Sequence, residues 1–177
     1  AIDQLFAALK PVVATHGVKP GQVMLIHGQF IRPDQVQALK SLGIFPSMFP
    51  MHTFYWGDWY KQIVGPEQAA RISPMRSILN TGLHATSHTD APVALPNLMQ
   101  VVWATVNRTS RSGTVIGPNE RVTAYEAMKM ITLWGAEQFG EQATKGSIKE
   151  GKLADLVVLS DNPVSMDPAM INQVQVV

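Results

Sequence analysis

The chain of 177 residues contains no cysteine. That absence excludes disulfides, thiolate metal sites and a cysteine nucleophile, and it agrees with a cytoplasmic location, which we take as the expectation. There is no run of about eighteen apolar residues, so no segment reads as a membrane span. Residues 1–10 lack the charged-then-apolar layout of a signal peptide. Charge of one sign is scarce as well, since fourteen Lys and Arg against thirteen Asp and Glu leave a formal net charge of +1. Such a balance provides no field for holding nucleic acid or an anionic membrane. Internal repeats and low-complexity tracts are also missing. What is present is a 46% hydrophobic composition, enough to bury a core rather than to stay disordered.

The patterning is that of an α/β protein. Ile2, Leu5, Phe6 and Leu9 have the spacing of an amphipathic helix, which Pro11 is expected to stop. A helix this close to the start needs an apolar layer that the sequence has not yet supplied. At the other end, Ile171, Val174 and Val176 are apolar with no evident partner. Both ends therefore read as parts of something longer.

Residues 22–27 (QVMLIH) predict a buried strand. Pro33 and Asp34 suit the first turn of a helix, Val36 and Leu39 its inner face, and Gly43 its C-terminal cap. Residues 44–48 form the next short strand, and strand, helix, strand in this order is the parallel β/α signature. The aromatic block Phe54, Tyr55, Trp56, Trp59 and Tyr60 reads as a long connection, serving equally well as a lid or as core. Residues 71–80 are expected to be helical in part, residues 83–87 a strand, and residues 98–106 a helix. Thr123 and Glu126 match a capping box, followed by a stripe of Ala127, Met130, Ile131 and Trp134. Residues 153–159 (LADLVVL) predict an apolar strand beyond a boundary near residues 140–146, dividing the chain into 1–143 and 144–177.

Without cysteine, a transition metal must be held by imidazole and carboxylate, which suits zinc, iron, manganese or nickel. His27 ends one predicted strand, His52 follows the next, and Asp90 follows a third. In a parallel barrel such strand ends share one mouth, so ligand-type residues distant in sequence converge there. Each has a plainer reading: a histidine after an apolar strand is commonly a hydrogen-bonded structural residue, and an Asp before Ala-Pro commonly forms a turn. His88, two residues before Asp90, shares its face on an extended strand and lines the site or orients a ligand. His16 reads as solvent-facing and His84 as core or surface. Met48, Met51, Met75, Met99, Met128 and Met130 read as gap-filling core or pocket lining.

Residues 25–29 (LIHGQ) with 31–35 (IRPDQ), residues 46–52 (PSMFPMH) and residues 87–93 (SHTDAPV) resemble, in order, the fifth, sixth and last barrel strands of the metal-dependent amidohydrolase superfamily. The branch they are most similar to is that of the N-substituted formamide deformylases. Residues 123–127 (TAYEA) and 146–159 (GSIKEGKLADLVVL) are similar to its closing helix and its return into a small β-sandwich. The resemblance implies the C-terminal part of a (β/α)8 TIM barrel plus part of that β-sandwich. It implies a hydrolase of a non-peptide C–N (amide) bond using a divalent metal, zinc first, with iron or manganese as alternatives. His27, His52 and Asp90 would bind the metal, and Asp90 would also take the proton from the attacking water and return it to the leaving amine. His88, Tyr55 and Trp56 would face the small-molecule substrate.

One departure stands out. The superfamily's first-strand His-x-His pair has no counterpart in this sequence. The expectation is a fragment that needs an N-terminal part of the barrel, is slow or inactive alone, and is open to homo-oligomerisation. The competing expectation is a catalytically silent domain that binds a ligand or partner through residues 54–60.

Overall fold

In the computed structural model, which describes residues 1–19 and 21–177, three short strands form one parallel sheet in the order β1 (Met24–His27), β2 (Phe45–Met48), β3 (Thr86–Ser87). Met24 pairs with Phe45 and His27 with Met48, while Met48 pairs with Ser87. His27, Met48 and Ser87 thus end the three strands at one level, and the chain beyond each emerges on the same side of the sheet.

The β1–β2 crossover is helix α2 (Pro33–Leu42). Proline at its first position loses no useful amide there, and Gly43 closes it in the left-handed conformation at φ 65°. Val36 and Leu39 face inward as expected. Helix α1 (Ile2–His16) runs through Pro11 rather than ending there. Its apolar face is met by residues later in the chain: Phe6 is buried in the main core, with Ile2, Leu5, Leu9 and Val13 against it. Asp3 ties the helix to α2 by accepting from Arg32 and Gln35. Packing and these bonds outweigh the one backbone hydrogen bond that proline removes.

The aromatic block is not a loop. It lies on helix α3 (Met51–Ile63), where Phe54, Tyr55 and Trp56 are half-buried against a second core cluster of Phe49, Met51, Ala94, Val101 and Ala104, while Trp59 is 53% exposed. Short helices α4 (Pro66–Ala69) and α5 (Met75–Asn80) lead to β3, which is only two residues long. Helix α6 (Leu98–Asn107) follows, capped by the Asn97 side chain. The capping box at Thr123 and Glu126 forms as the sequence requires and opens α7 (Ala124–Met130). The apolar stripe is split, because α7 stops at Met130 and Trp134 belongs to α8 (Leu133–Gln138).

Residues 153–159 do not form the apolar strand the sequence suggests. Leu153, Leu156, Val157 and Val158 are well exposed, and pairing is limited to one antiparallel bridge between Leu159 and Val176. A strand needs a pairing neighbour along its length, and the described residues offer one only at its end. Ile171 and Val174, in contrast, find partners: a 3-10 turn (Pro168–Gln173) carries them into the main core. It is fastened by Trp103 Nε1 to the Ala169 carbonyl and Asn107 Nδ2 to the Pro168 carbonyl. No described helix is long and apolar enough to cross a membrane.

Candidate metal centre

The C-terminal ends of the three strands deliver a cluster of histidines. His27 is the last residue of β1 and sits at the apex of a three-residue turn, φ 66°, closed by Gly28 N–H donating to the Ile26 carbonyl at 2.9 Å. His88 follows β3 directly, and its amide donates to the Met48 carbonyl at 3.1 Å. Asp90, two residues on, also has a positive φ, 52°. His52 is the second residue of α3 rather than part of a loop. The imidazole centroids of His27 and His88 are 5.2 Å apart, and those of His27 and His52 5.5 Å apart. Phe49 forms one wall, stacked on His88 at 5.6 Å and edge-on to His52 at 4.8 Å.

Within this cluster, His27, His88 and Asp90 each bring a ligand-type atom within 4.8 Å of the other two. Asp90 Oδ2 lies 3.3 Å from His27 Nε2. Nε2 of His27 and Nε2 of His88 are buried with no hydrogen-bond partner of acceptable geometry. A buried imidazole nitrogen this close to a carboxylate oxygen, without hydrogen-bond geometry between them, is satisfied by a cation that both can share, the alternative being a proton on the ring. The donor set of two imidazoles and one carboxylate therefore fits a divalent cation. The other nitrogen of His88 is engaged, with Nδ1 3.0 Å from Ser47 Oγ. Such a bond on the far side of the ring orients an imidazole toward its ligand.

His52 stands beside this group. Its Nδ1 is 3.4 Å from Ser73 Oγ, and it is almost fully buried. Burial first, and then repulsion from His27 and His88, depress its pKa to about 4. Burial followed by repulsion from His27 lowers His88 to about 4 as well. Both rings are neutral at ordinary pH, the state in which imidazole ligates or accepts a proton.

The sequence singled out His27, His52 and Asp90 as ligands and His88, Tyr55 and Trp56 as lining residues. The structure brings all four charged or imidazole groups together, and it is His88 that shares the tight group with His27 and Asp90. Trp56 is 6.0 Å from the His52 ring. Tyr55 lines an open groove of about 230 Å³ with Met51, Phe54, Ala94 and Leu95. His16 is exposed. His84 bonds Glu137 at 2.6 Å and stacks on Trp134, away from the centre. Ser47 and Ser73 were not legible as site residues, because a serine leaves no pattern until its neighbours in space are known.

The sequence profile of the Amidohydrolase family matches residues 1–177. The N-substituted formamide deformylase of Arthrobacter pascens is 31% identical over 153 residues, covering 86% of this chain and 28% of that protein. The crystal structure of an uncharacterized metal-dependent hydrolase from Pyrococcus horikoshii OT3 superposes with a TM-score of 0.73 at 22% identity, over 93% of this chain and 33% of that one. A zinc-bound adenosine deaminase from Xanthomonas campestris superposes with a TM-score of 0.62 at 16% identity, over 94% of this chain and 40% of that one. The chain thus spans a minority of the length of each protein it resembles. With the whole of its sequence matched, the chain belongs to the amidohydrolase family.

Proposed function

We propose that this chain supplies later β/α units of a (β/α)8 barrel, with residues 144–177 part of a small β-sandwich, and serves metal-dependent hydrolysis of a non-peptide C–N bond. The observation that carries the reading is the pair of buried, unpartnered Nε2 atoms of His27 and His88 beside the Asp90 carboxylate. The named deformylase relative supports an amide, and formamides in particular, as the substrate class.

In this reading His27, His88 and Asp90 hold the cation, with His52 adjoining them, and zinc is the first candidate because a zinc-bound structure shares the fold. When bound, a divalent cation there supplies Lewis acidity toward a carbonyl oxygen and toward water. The residues of the chain do the rest. Asp90, held at positive φ beside His27, accepts the proton of the attacking water and returns it to the leaving nitrogen. His52 and His88, neutral by burial, add no competing positive charge to the site. Phe49 excludes water from one flank. Tyr55 and Trp56 form an apolar approach for the substituent on nitrogen.

The sequence contains no His-x-His pair, which in this reading comes from outside the 177 residues. The test compares the chain as it stands with a form extended upstream in its gene, each supplied with zinc and an N-substituted formamide. The expected result is amine release by the extended form, lost on Asp90→Asn, and little or none from the 177 residues alone. An extended form that binds zinc but releases no amine from any formamide or cyclic amide would remove the proposal.

A further inference from the structure

Among the described residues, four that are not glycine have positive φ: His27, Ser73, Asp90 and Arg108. Two are the candidate ligands. The other two meet each other directly behind the site. Strained backbone of this kind persists only where the surroundings over-determine it, and it gathers where geometry matters for function.

Ser73 is completely buried and ties three segments of the site together. Its amide donates to the Gln29 carbonyl at 2.9 Å, holding the turn that follows His27. Its hydroxyl donates to the Phe49 carbonyl at 3.1 Å, holding the segment between β2 and His52. The same oxygen lies 3.4 Å from Nδ1 of His52. Arg108, equally buried, donates from Nη1 to the Ser73 carbonyl at 2.9 Å and from Nη2 to the Ile72 carbonyl at 2.6 Å. It also donates from Nε to the Ile116 carbonyl at 2.8 Å. The guanidinium thereby pins the strained Ser73 backbone.

A hydroxyl has one proton. The shorter of its two contacts is to the Phe49 carbonyl, 3.1 Å against 3.4 Å to His52, and a carbonyl can only accept; with the proton given there, the oxygen meets His52 as an acceptor. The nitrogen at that contact must then carry the hydrogen. We propose that Ser73, clamped by Arg108, is a positioning residue that fixes His52 as the Nδ1–H tautomer, leaving Nε2 as its free acceptor beside the His27–His88–Asp90 group. The inference rests on the reading that His52 belongs to this site. It adds the device that selects the ring's reactive nitrogen, the role an outer hydrogen bond plays for ligating imidazoles.

The test is the tautomer itself. The full chain, labelled with 15N histidine and freed of metal by a chelator, is examined by two-bond proton–nitrogen correlation at a pH where His52 is neutral. His52 is expected as Nδ1–H, and a predominant Nε2–H signal would overturn the inference with no variant needed. In Ser73→Ala, with folding checked by circular dichroism, the Nδ1–H to Nε2–H ratio is expected to fall about five-fold, the value of one ordinary hydrogen bond. An unchanged ratio in the folded variant would equally overturn it. Neither result depends on metal or turnover. Zinc binding with His52 as Nε2–H would sink this inference and leave the proposed function standing, whereas Nδ1–H with no zinc binding would do the reverse.

Discussion

Acidifying the metal-free protein should destabilise it already between neutrality and about pH 5, above the range where carboxyls dominate. His52 and His88 are held at about 4 in the folded state, chiefly by burial, against 6.5 in an exposed chain. Between those values the unfolded state binds more protons, so stability present above 6.5 is lost as pH falls toward 4. A single imidazole shifted that far costs about 2 kcal/mol at about pH 5 relative to neutral pH. Residual water around the rings and their mutual repulsion bring the pair to about 2–3 kcal/mol together rather than twice the single value. The depressed carboxyls of Asp3, Asp34, Asp58 and Glu126 weigh little above about pH 5, since in the unfolded chain they titrate around 3.8 and 4.5. Urea unfolding followed by tryptophan fluorescence in chelator, at several pH values between about 7.5 and 4.8, reads the effect as a falling midpoint at constant slope. His52→Asn should remove about half of the dependence. A midpoint that stays level or rises as pH falls through this range would refute the burial argument.

Three further outcomes follow from the packing. Arg108→Met should destabilise the chain by about 3–5 kcal/mol, because the buried carbonyls of Ile72, Ser73 and Ile116 lose their donors, and a loss under about 1 kcal/mol in the same urea assay would contradict that bonding. Gly117→Ala should cost about 3 kcal/mol or prevent folding, since φ is +61° and a Cβ there would sit 1.8 Å from the Ala70 carbonyl oxygen; a thermal midpoint equal to wild type would show the approach to be looser. Thr123→Ala should cost about 1 kcal/mol through loss of the α7 cap, measured by denaturation at neutral pH, and no change would mean that Glu126 and Arg76 hold that end unaided.

Much of the fold was legible because local rules and tertiary packing agreed. Pro33, Gly43 and the Thr123–Glu126 box mark helix ends through backbone chemistry that no distant contact overrides. The failures share one cause, dependence on partners remote in sequence. Pro11 was outvoted by Phe6 in the core and by Asp3 on Arg32 and Gln35. Residues 153–159 have strand composition but lack a neighbouring strand along their length among the described residues. The aromatic block hid a helix, because its residues pack on opposite sides, toward Phe49 and Val101 on one and toward Phe30 on another. At the site, imidazoles and a carboxylate at successive strand ends are visible as a pattern. Which histidine joins His27 and Asp90 depends on the register between β2 and β3, and the serines behind the rings are visible only once that register is set.

The most direct test is calorimetric titration of the chelator-stripped chain with zinc, and with cobalt as a spectroscopic substitute. One binding event is expected, weakened at least ten-fold in His27→Ala, His88→Ala and Asp90→Asn but unchanged in His16→Ala. Binding of equal strength in all four variants, or none in the folded parent, would mean that the strand ends gather these side chains for some purpose other than a cation.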